Sequence, residues 1–185
     1  MRYTNPGEVV SLESNRVEIR DKPRLKSRSV ILALTGMLAG VYALGTIALG
    51  VVAFGALNLR FTNVLIGLVP IFGWAGVFGI SLGVLLANTT SILGPIDLLS
   101  AIFSLFALAI LHLLRKRSVI AGLAIYDITL SLWVSFEISF ETGAPYLPTL
   151  YIVSAGMSLI LALAYILYRA LILAGLKKRV EGILG

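Results

Sequence analysis

The sequence predicts an all-α integral membrane protein, a compact bundle of six transmembrane helices with its N- and C-termini in the cytoplasm. Composition carries the first half of this prediction, because 58% of the 185 residues are hydrophobic and only 13% are charged. Soluble domains contain about 45–50% apolar and roughly 25% charged residues. A core of this size cannot hide the excess, so we expect lipid to solvate it. The positions of the Lys and Arg residues carry the second half.

Six apolar segments lie between two polar, basic ends. We expect residues 1–29 to form a cytosolic extension, residues 30–176 the membrane domain and residues 177–185 a basic cytosolic tail. A transmembrane helix needs about 20 mostly apolar residues, with a range of roughly 17–25. The predicted helices are, in chain order, Val30–Ala56, Phe61–Phe72, Trp74–Ile92, Pro95–Leu114, Ser118–Phe136 and Leu147–Gly175.

The second and third of these helices are the ambiguous part, because Pro70 and Gly73 interrupt one apolar stretch. The stretch fits either two helices or a re-entrant loop followed by one helix. Cytoplasmic loops are enriched in Lys and Arg near the helix ends. A re-entrant loop would place the basic run 115–117 outside the cell, against this rule, whereas two helices keep it inside. The charge distribution therefore favours six spans.

Six spans leave one cation on the outer face. Seven Lys and Arg residues precede Val30, three occupy 115–117 and four lie from Arg169 onward, which places 14 of the 15 on the cytosolic side. The remaining one is Arg60. The other polar residues at or near the outer face are Asn63, Asn88, Asp97, Glu137 and Glu141.

This gathering of polar residues predicts a binding pocket. Charged groups at membrane depth are costly, and they usually pair, line cavities or bind something. The alternative is that they are loop residues in water and that the Arg60 stem snorkels to the interface. Because the residues come from several separate helix ends, we favour the pocket, in which Arg60 either holds the first outer loop over a ligand or pairs with Asp97 or Glu137.

The fifth predicted helix adds aromatic side chains to this face. Tyr126, Trp133, Glu137 and Phe140 fall within about 60° of one another on a helical wheel. Such a face would stack a flat ring beside a carboxylate that accepts hydrogen bonds. The alternative is an ordinary interfacial aromatic belt. Asp127, near mid-helix, suits either a proton relay or a structural hydrogen bond to a neighbouring helix.

Two helices carry regularly spaced small residues. Helix three has Ala75, Gly79, Gly83 and Ala87, and helix one has Gly36, Ala39, Gly40 and Ala43. Small residues let transmembrane helices approach closely, so they mark packing faces. We expect helix three to pack within the bundle, whereas helix one could equally receive a partner helix.

The sequence contains no convincing catalytic motif, and it does not predict an enzyme. There is no cysteine, and the only histidine, His112, is expected at the face opposite Arg60. The nucleophile-elbow pattern at 79–83 lies inside a predicted helix and not in a strand-to-helix turn. We expect no metal, no cofactor and no nucleic-acid partner.

The stretch LRFTNVLIGLVPIFGWAGVFGISLGVLLANTTSILGPIDLL, Leu59 to Leu99, resembles the substrate-binding S components of energy-coupling factor (ECF) transporters, in particular the queuosine-precursor transporter family. The resemblance implies a six-helix protein of the prokaryotic plasma membrane that captures a nutrient, here a 7-deazaguanine, at its outer face. It further implies docking on a transmembrane coupling subunit, driven by two cytosolic ATPases, and toppling to release the substrate inside.

The resemblance also assigns residues. It implies that Arg60, Asn88 and Asp97 lie in the pocket and that Ala39 and Ala43 form the alanine motif through which helix one meets the coupling subunit.

The chain departs from the pattern of that family at two places. Asn63 stands where a glutamate commonly follows the arginine, and Gly156-Met157 stands where a Gly-Glu pair is expected. These changes bear on substrate identity and not on the fold. Two other hypotheses stay open: a stand-alone secondary transporter or channel that uses Asp127 as its proton or ion site, and a membrane-embedded assembly subunit without a ligand.

Overall fold

The computed structural model describes residues 28–50, 60–176 and 180. The expected N-terminal extension up to residue 27, the end of the first predicted helix and most of the C-terminal tail lie outside the described residues. Within those ranges the chain is helical and contains no strand. The helices are α1 (Arg28–Ala48), α2 (Phe61–Phe72), α3 (Trp74–Asn88), α4 (Gly94–Leu114), α5 (Val119–Thr142) and α6 (Tyr146–Leu173).

The all-helical class and the split of the ambiguous stretch into two helices are confirmed. Four helices, α1, α4, α5 and α6, are long and apolar enough to cross a membrane, with mean hydropathies of 1.7 to 2.2. The other two, α2 and α3, are shorter apolar helices. That all six cross the membrane, and that both termini face the cytoplasm, stay predictions.

Two predicted helix ends were wrong. The fifth helix continues to Thr142 and not to Phe136, and it ends where Gly143 adopts a left-handed conformation with φ of 71°. A glycine there carries no Cβ penalty, which makes it a common helix stop. The third helix ends at Asn88 and not at Ile92, because a tight turn begins with the bond from the Thr90 N–H to the Ala87 carbonyl (3.1 Å).

Two helices begin with tightly wound 3₁₀ segments. Residues Phe61–Leu68 of α2 and Gly94–Leu99 of α4 are 3₁₀, and each continues into an α-helix. Runs of this kind longer than three or four residues are uncommon and often mark strain or a functional hinge. Both segments begin close to the polar residues singled out in the sequence.

Helices α1 and α3 pack through their small residues. A Cβ added to Gly83 would lie 2.7 Å from the Tyr42 Cβ and 3.0 Å from the Ala39 carbonyl oxygen. Ala39 and Ala43 are 2% and 6% exposed, so α3 occupies the alanine face of α1. The predicted packing role of the helix-three stripe is thereby confirmed.

One apolar core joins all six helices. Its members come from every helix and include Tyr42, Ile66, Ile80, Leu108, Tyr126 and Leu161. Outside this core, many large apolar side chains face outward, among them Leu44, Phe106, Leu147 and Leu173. An apolar surface of this extent suits a bilayer and not water.

The two ends of the bundle differ in chemistry. At one end, called the basic end here, Ile31, Gly73, His112, Arg115 and Val180 surround a single cavity. Because these residues come from the start of α1, the α2–α3 turn, the end of α4 and the region after α6, successive helices run in alternating directions. The opposite end, called the polar end, holds Arg60 and the residues around it.

Candidate functional site

The centre of the polar end is a buried cluster of Arg60, Asn88 and Asp97, which are 6%, 2% and 0% exposed. Arg60 immediately precedes α2, Asn88 is the last residue of α3, and Asp97 lies in the 3₁₀ start of α4. Three helix ends that are distant in sequence therefore converge on one point.

The cluster is held by charge-assisted hydrogen bonds. The Arg60 guanidinium donates to both Asp97 carboxylate oxygens, at 3.2 and 3.0 Å, and to the Asn88 Oδ1 at 2.9 Å. The Asn88 amide nitrogen donates to the Asp97 backbone carbonyl at 2.7 Å and to its Oδ1 at 2.9 Å. The predicted pairing of Arg60 with Asp97 is therefore present. Such a network is favourable only while every member is partnered.

A second set of polar contacts surrounds Asn63. The Tyr42 hydroxyl donates to the Asn63 Oδ1 at 2.6 Å, and the Asn63 amide nitrogen approaches the Met157 sulfur at 3.2 Å. These contacts join α1, α2 and α6. Asn63 and Met157 are the two positions at which the chain departs from the pattern of S components, and they touch each other.

A cavity lies between these two sets of contacts. Arg60 and Asn63 line it, together with Tyr42, Val84, Ser104, Tyr126, Leu130, Val134 and Met157. It leaves about 10 Å³ for water-sized contents, enough for about one water molecule. Pockets for drug-sized ligands measure about 300–1,000 Å³. A ring-sized ligand therefore requires these side chains to move apart.

Glu137 belongs to a neighbouring chain of hydrogen bonds. The Trp133 indole nitrogen donates to the Ser100 Oγ at 3.0 Å, and the Ser100 hydroxyl lies 2.9 and 3.0 Å from the two Glu137 oxygens. Glu137 is fully buried, and the Trp133 ring stacks on Phe103 with centroids 4.2 Å apart. This chain links the start of α4 to the outer part of α5.

The predicted aromatic face of α5 is divided. Tyr126 lines the cavity and its hydroxyl lies 3.1 Å from the Ser104 Oγ. Trp133 is partly buried beside the cavity, whereas Phe140 is 67% exposed. The structure therefore brings Tyr126 to the cavity, places Trp133 and Glu137 next to it, and leaves Phe140 outside.

Asp127 lies away from the cavity, on the groove between α5 and α6. Its two oxygens accept the Ser131 hydroxyl at 2.9 Å and the Ser158 hydroxyl, which belongs to α6. Asp127 thus ties two helices together in the way the structural interpretation of this residue predicts.

Sequence reasoning missed four residues of this site: Tyr42, Ser100, Ser104 and Met157. Ser100 and Ser104 were detectable, because two hydroxyls four residues apart mark one polar face in an otherwise apolar helix. Tyr42 gave no signal, because it is an ordinary core residue by type, and Met157 was marked only as a departure from the family pattern.

Comparison with known proteins decides the family. A model of the QueT transporter family matches residues 32–172. The chain belongs to the QueT transporter family. Searches of curated proteins and of solved structures both return no match. As a QueT transporter the chain is a multi-pass membrane protein, and the matched range includes the complete polar-end site.

Proposed function

We propose that this QueT transporter is the S component of an ECF-type importer in a prokaryotic plasma membrane. Its polar end faces outward and captures a queuosine precursor with a 7-deazaguanine ring. The observation that carries the proposal is the buried Arg60–Asn88–Asp97 cluster beside a cavity, because such a site is costly to bury and needs a functional reason. Membership of a transporter family supports the same reading.

The cavity offers contacts of the right kind for a flat, polar heterocycle. The Tyr42 and Tyr126 rings supply aromatic surface, and the Ser104 hydroxyl and Asn63 amide supply hydrogen bonds along an edge. The Arg60 guanidinium is fixed by Asp97 and Asn88 and lines the cavity, so its positive charge attracts an acceptor such as a ring carbonyl. Glu137 accepts hydrogen bonds from the N–H edge of a guanine-like ring once the ring reaches it.

Binding is coupled to a local rearrangement, because the cavity in this structure has room for about one water molecule. Met157 is an unbranched side chain that repacks easily. The 3₁₀ start of α2 carries Arg60 and Asn63, so a change in its winding moves both groups together. The contacts that the ligand makes only in the bound form must therefore offset the free-energy cost of this opening.

Transport then follows the scheme of S components. The loaded subunit docks on a transmembrane coupling subunit with two cytosolic ATPases, and it topples to release the substrate inside. By resemblance, Ala39 and Ala43 take part in docking. Both alanines are buried, and Gly83 of α3 lies against the Ala39 carbonyl, so a contact through these alanines requires α1 to move away from its neighbours. Gly36 and Gly40, by contrast, have no neighbouring atom within 4 Å of an added Cβ.

The rival hypothesis of a stand-alone transporter that uses Asp127 is less well supported. Both Asp127 oxygens accept serine hydroxyls, and the residue does not line the Arg60 cavity. Uptake of a 7-deazaguanine base into liposomes tests it directly. We expect no uptake by the purified chain alone, and uptake without ATP or partner subunits would favour the rival.

Ligand binding itself is tested by native mass spectrometry of the detergent-purified chain, followed by titration with a 7-deazaguanine base. We expect Glu137→Gln to weaken binding by roughly tenfold, the worth of one charge-assisted hydrogen bond, without loss of thermal stability. Glu141→Gln is the matched control, because Glu141 is exposed one helical turn further on. Unchanged affinity in the Glu137 variant would remove that residue from the site, and failure of any 7-deazaguanine to bind the parent chain would overturn the proposed substrate.

A further inference from the structure

The basic end contains a second cavity, separate from the Arg60 site. It has a volume of about 520 Å³ and is lined by residues that include Pro70, Trp74, His112 and Arg115. This volume falls in the range of small-molecule pockets, about 300–1,000 Å³. The proposed function makes no use of it.

The turn between α2 and α3 shapes this cavity. Gly73 has φ of 63°, which side chains with a Cβ rarely adopt. A Cβ at this position would also lie 3.0 Å from an Arg115 guanidinium nitrogen and 3.2 Å from the His112 Cε1. The bare glycine therefore lets the imidazole and the guanidinium approach the turn and stand side by side at the cavity wall.

In the part of the chain that the structure describes, Arg115 has no acidic partner and the His112 Nδ1 has no hydrogen-bond partner. His112 is 8% exposed, and its Nδ1 is buried without a hydrogen-bond partner. The only ion pair among the described residues joins Arg60 and Asp97, at the other end of the bundle. A buried polar nitrogen without a partner is costly, and because His112 lines the cavity, a ligand there can supply the missing hydrogen bond.

The rest of the cavity wall is apolar and leads outward along α3. Trp74 lies over His112 with ring centroids 4.8 Å apart, and it stacks on Phe78 at 5.6 Å. Phe78 in turn lines an open apolar groove of about 570 Å³ between α3 and α4. Trp74 and Phe78 are 47% and 51% exposed. An apolar path therefore continues from the cationic cavity over the membrane-facing surface.

We infer that the basic-end cavity binds the phosphate of an anionic phospholipid, with an acyl chain along Trp74, Phe78 and the α3–α4 groove. Arg115 and His112 donate hydrogen bonds to the phosphate oxygens. The juxtaposition of a cationic pocket and an apolar path fits a molecule with an anionic head and a long apolar tail, whereas a free phosphate has no use for the path. Basic pockets between transmembrane helices are suited to such headgroups. This inference is independent of the proposed substrate.

The test is competition between two lipids on the full-length chain in mild detergent. Phosphatidylglycerol and phosphatidylcholine with identical acyl chains are added in equal amounts, and the bound lipids are counted by native mass spectrometry. Both lipids carry the phosphate, but only phosphatidylcholine brings a choline cation close to Arg115. We therefore expect phosphatidylglycerol to be retained roughly tenfold better, a difference of about 1.4 kcal/mol. We expect Arg115→Gln and His112→Gln each to remove most of this preference.

Arg117→Gln is the matched control, because Arg117 is exposed in the same basic run and the net charge changes equally. It should retain the preference, and thermal unfolding should show that all three variants remain folded. If Arg115→Gln and Arg117→Gln lost the preference for phosphatidylglycerol equally, the preference would depend only on net charge, and the proposed site would be overturned. Equal retention of both lipids by the parent chain would do the same. Displacement of the lipid by millimolar glycerol phosphate would reassign the cavity to a soluble phosphate.

Discussion

The two ends of the bundle hold arginine in opposite environments. Arg60 is 6% exposed and bonded to Asn88 and Asp97, whereas Arg115 is partly exposed and has no acidic partner among the described residues. The first is held by partners within the protein itself. Arg115 has no such partner in the described ranges, so its guanidinium can bind an anionic group that enters the cavity. Burial and pairing, more than residue type, separate the two roles.

The largest effect is expected when the Asp97 carboxylate that pairs with Arg60 loses its charge. We expect Asp97→Asn to lower the free energy of unfolding by about 3–5 kcal/mol, because a buried guanidinium loses its counter-ion. Arg117→Gln, a change of charge of the same size and opposite sign at the basic end, should stay within about 0.5 kcal/mol. Denaturant unfolding in detergent measures both. Equal stability of the two variants would mean that the polar end is not held by this ion pair.

A smaller effect is expected from the packing that places Tyr42 over the site. Gly83→Ala should cost about 1–3 kcal/mol, since the new methyl group overlaps α1. Gly36→Ala, closer to the basic end, meets no atom within 4 Å and should be neutral. Thermal unfolding of both variants provides the comparison. A stable Gly83 variant would show that α1 and α3 separate more easily than the structure suggests.

The hydroxyl of Tyr42 gives the next test. Tyr42→Phe leaves the Asn63 carbonyl oxygen without its 2.6 Å donor and should cost about 1–2 kcal/mol. Tyr168→Phe is the control at the other end, because that hydroxyl has no hydrogen-bond partner among the described residues. If both variants unfold at the same temperature in a thermal melt, the hydrogen bond from Tyr42 to Asn63 contributes no net stability.

The smallest effect concerns the middle of the bundle. Ser158→Ala removes the α6 hydroxyl that bonds to Asp127, and hydrogen bonds between transmembrane helices are worth about 0.6 kcal/mol on average. Ser154→Ala, one turn earlier in α6, serves as the control. A loss of several kcal/mol, or an effect on transport without one on stability, would move Asp127 from a structural to a functional role.

Much of this arrangement was predictable from the sequence because membrane insertion leaves strong signals. Apolar run length and the Lys and Arg positions predicted six helices. The isolation of Arg60 predicted a functional role or a pairing with Asp97 or Glu137, and the structure pairs it with Asp97. The sequence could not reveal that Tyr42 and Met157 line the cavity, because their roles depend on how α1, α2 and α6 meet. Nor could it reveal that Phe140 faces outward, because a 60° sector on a helical wheel includes both the buried face and its margin.

The 3₁₀ winding at the start of α2 affects how far this helix can reach across a bilayer. With eight 3₁₀ and four α residues, the helix measures about 22 Å, about 4 Å more than an α-helix of equal length. The hydrocarbon layer is about 30 Å thick. When Gly73 is level with one lipid–water boundary, Arg60 stops about 8 Å short of the other. In the proposed orientation, a helix this short is matched by local thinning of the bilayer or by flanking side chains that reach the interface, so the depth of Arg60 depends on the thickness of the membrane.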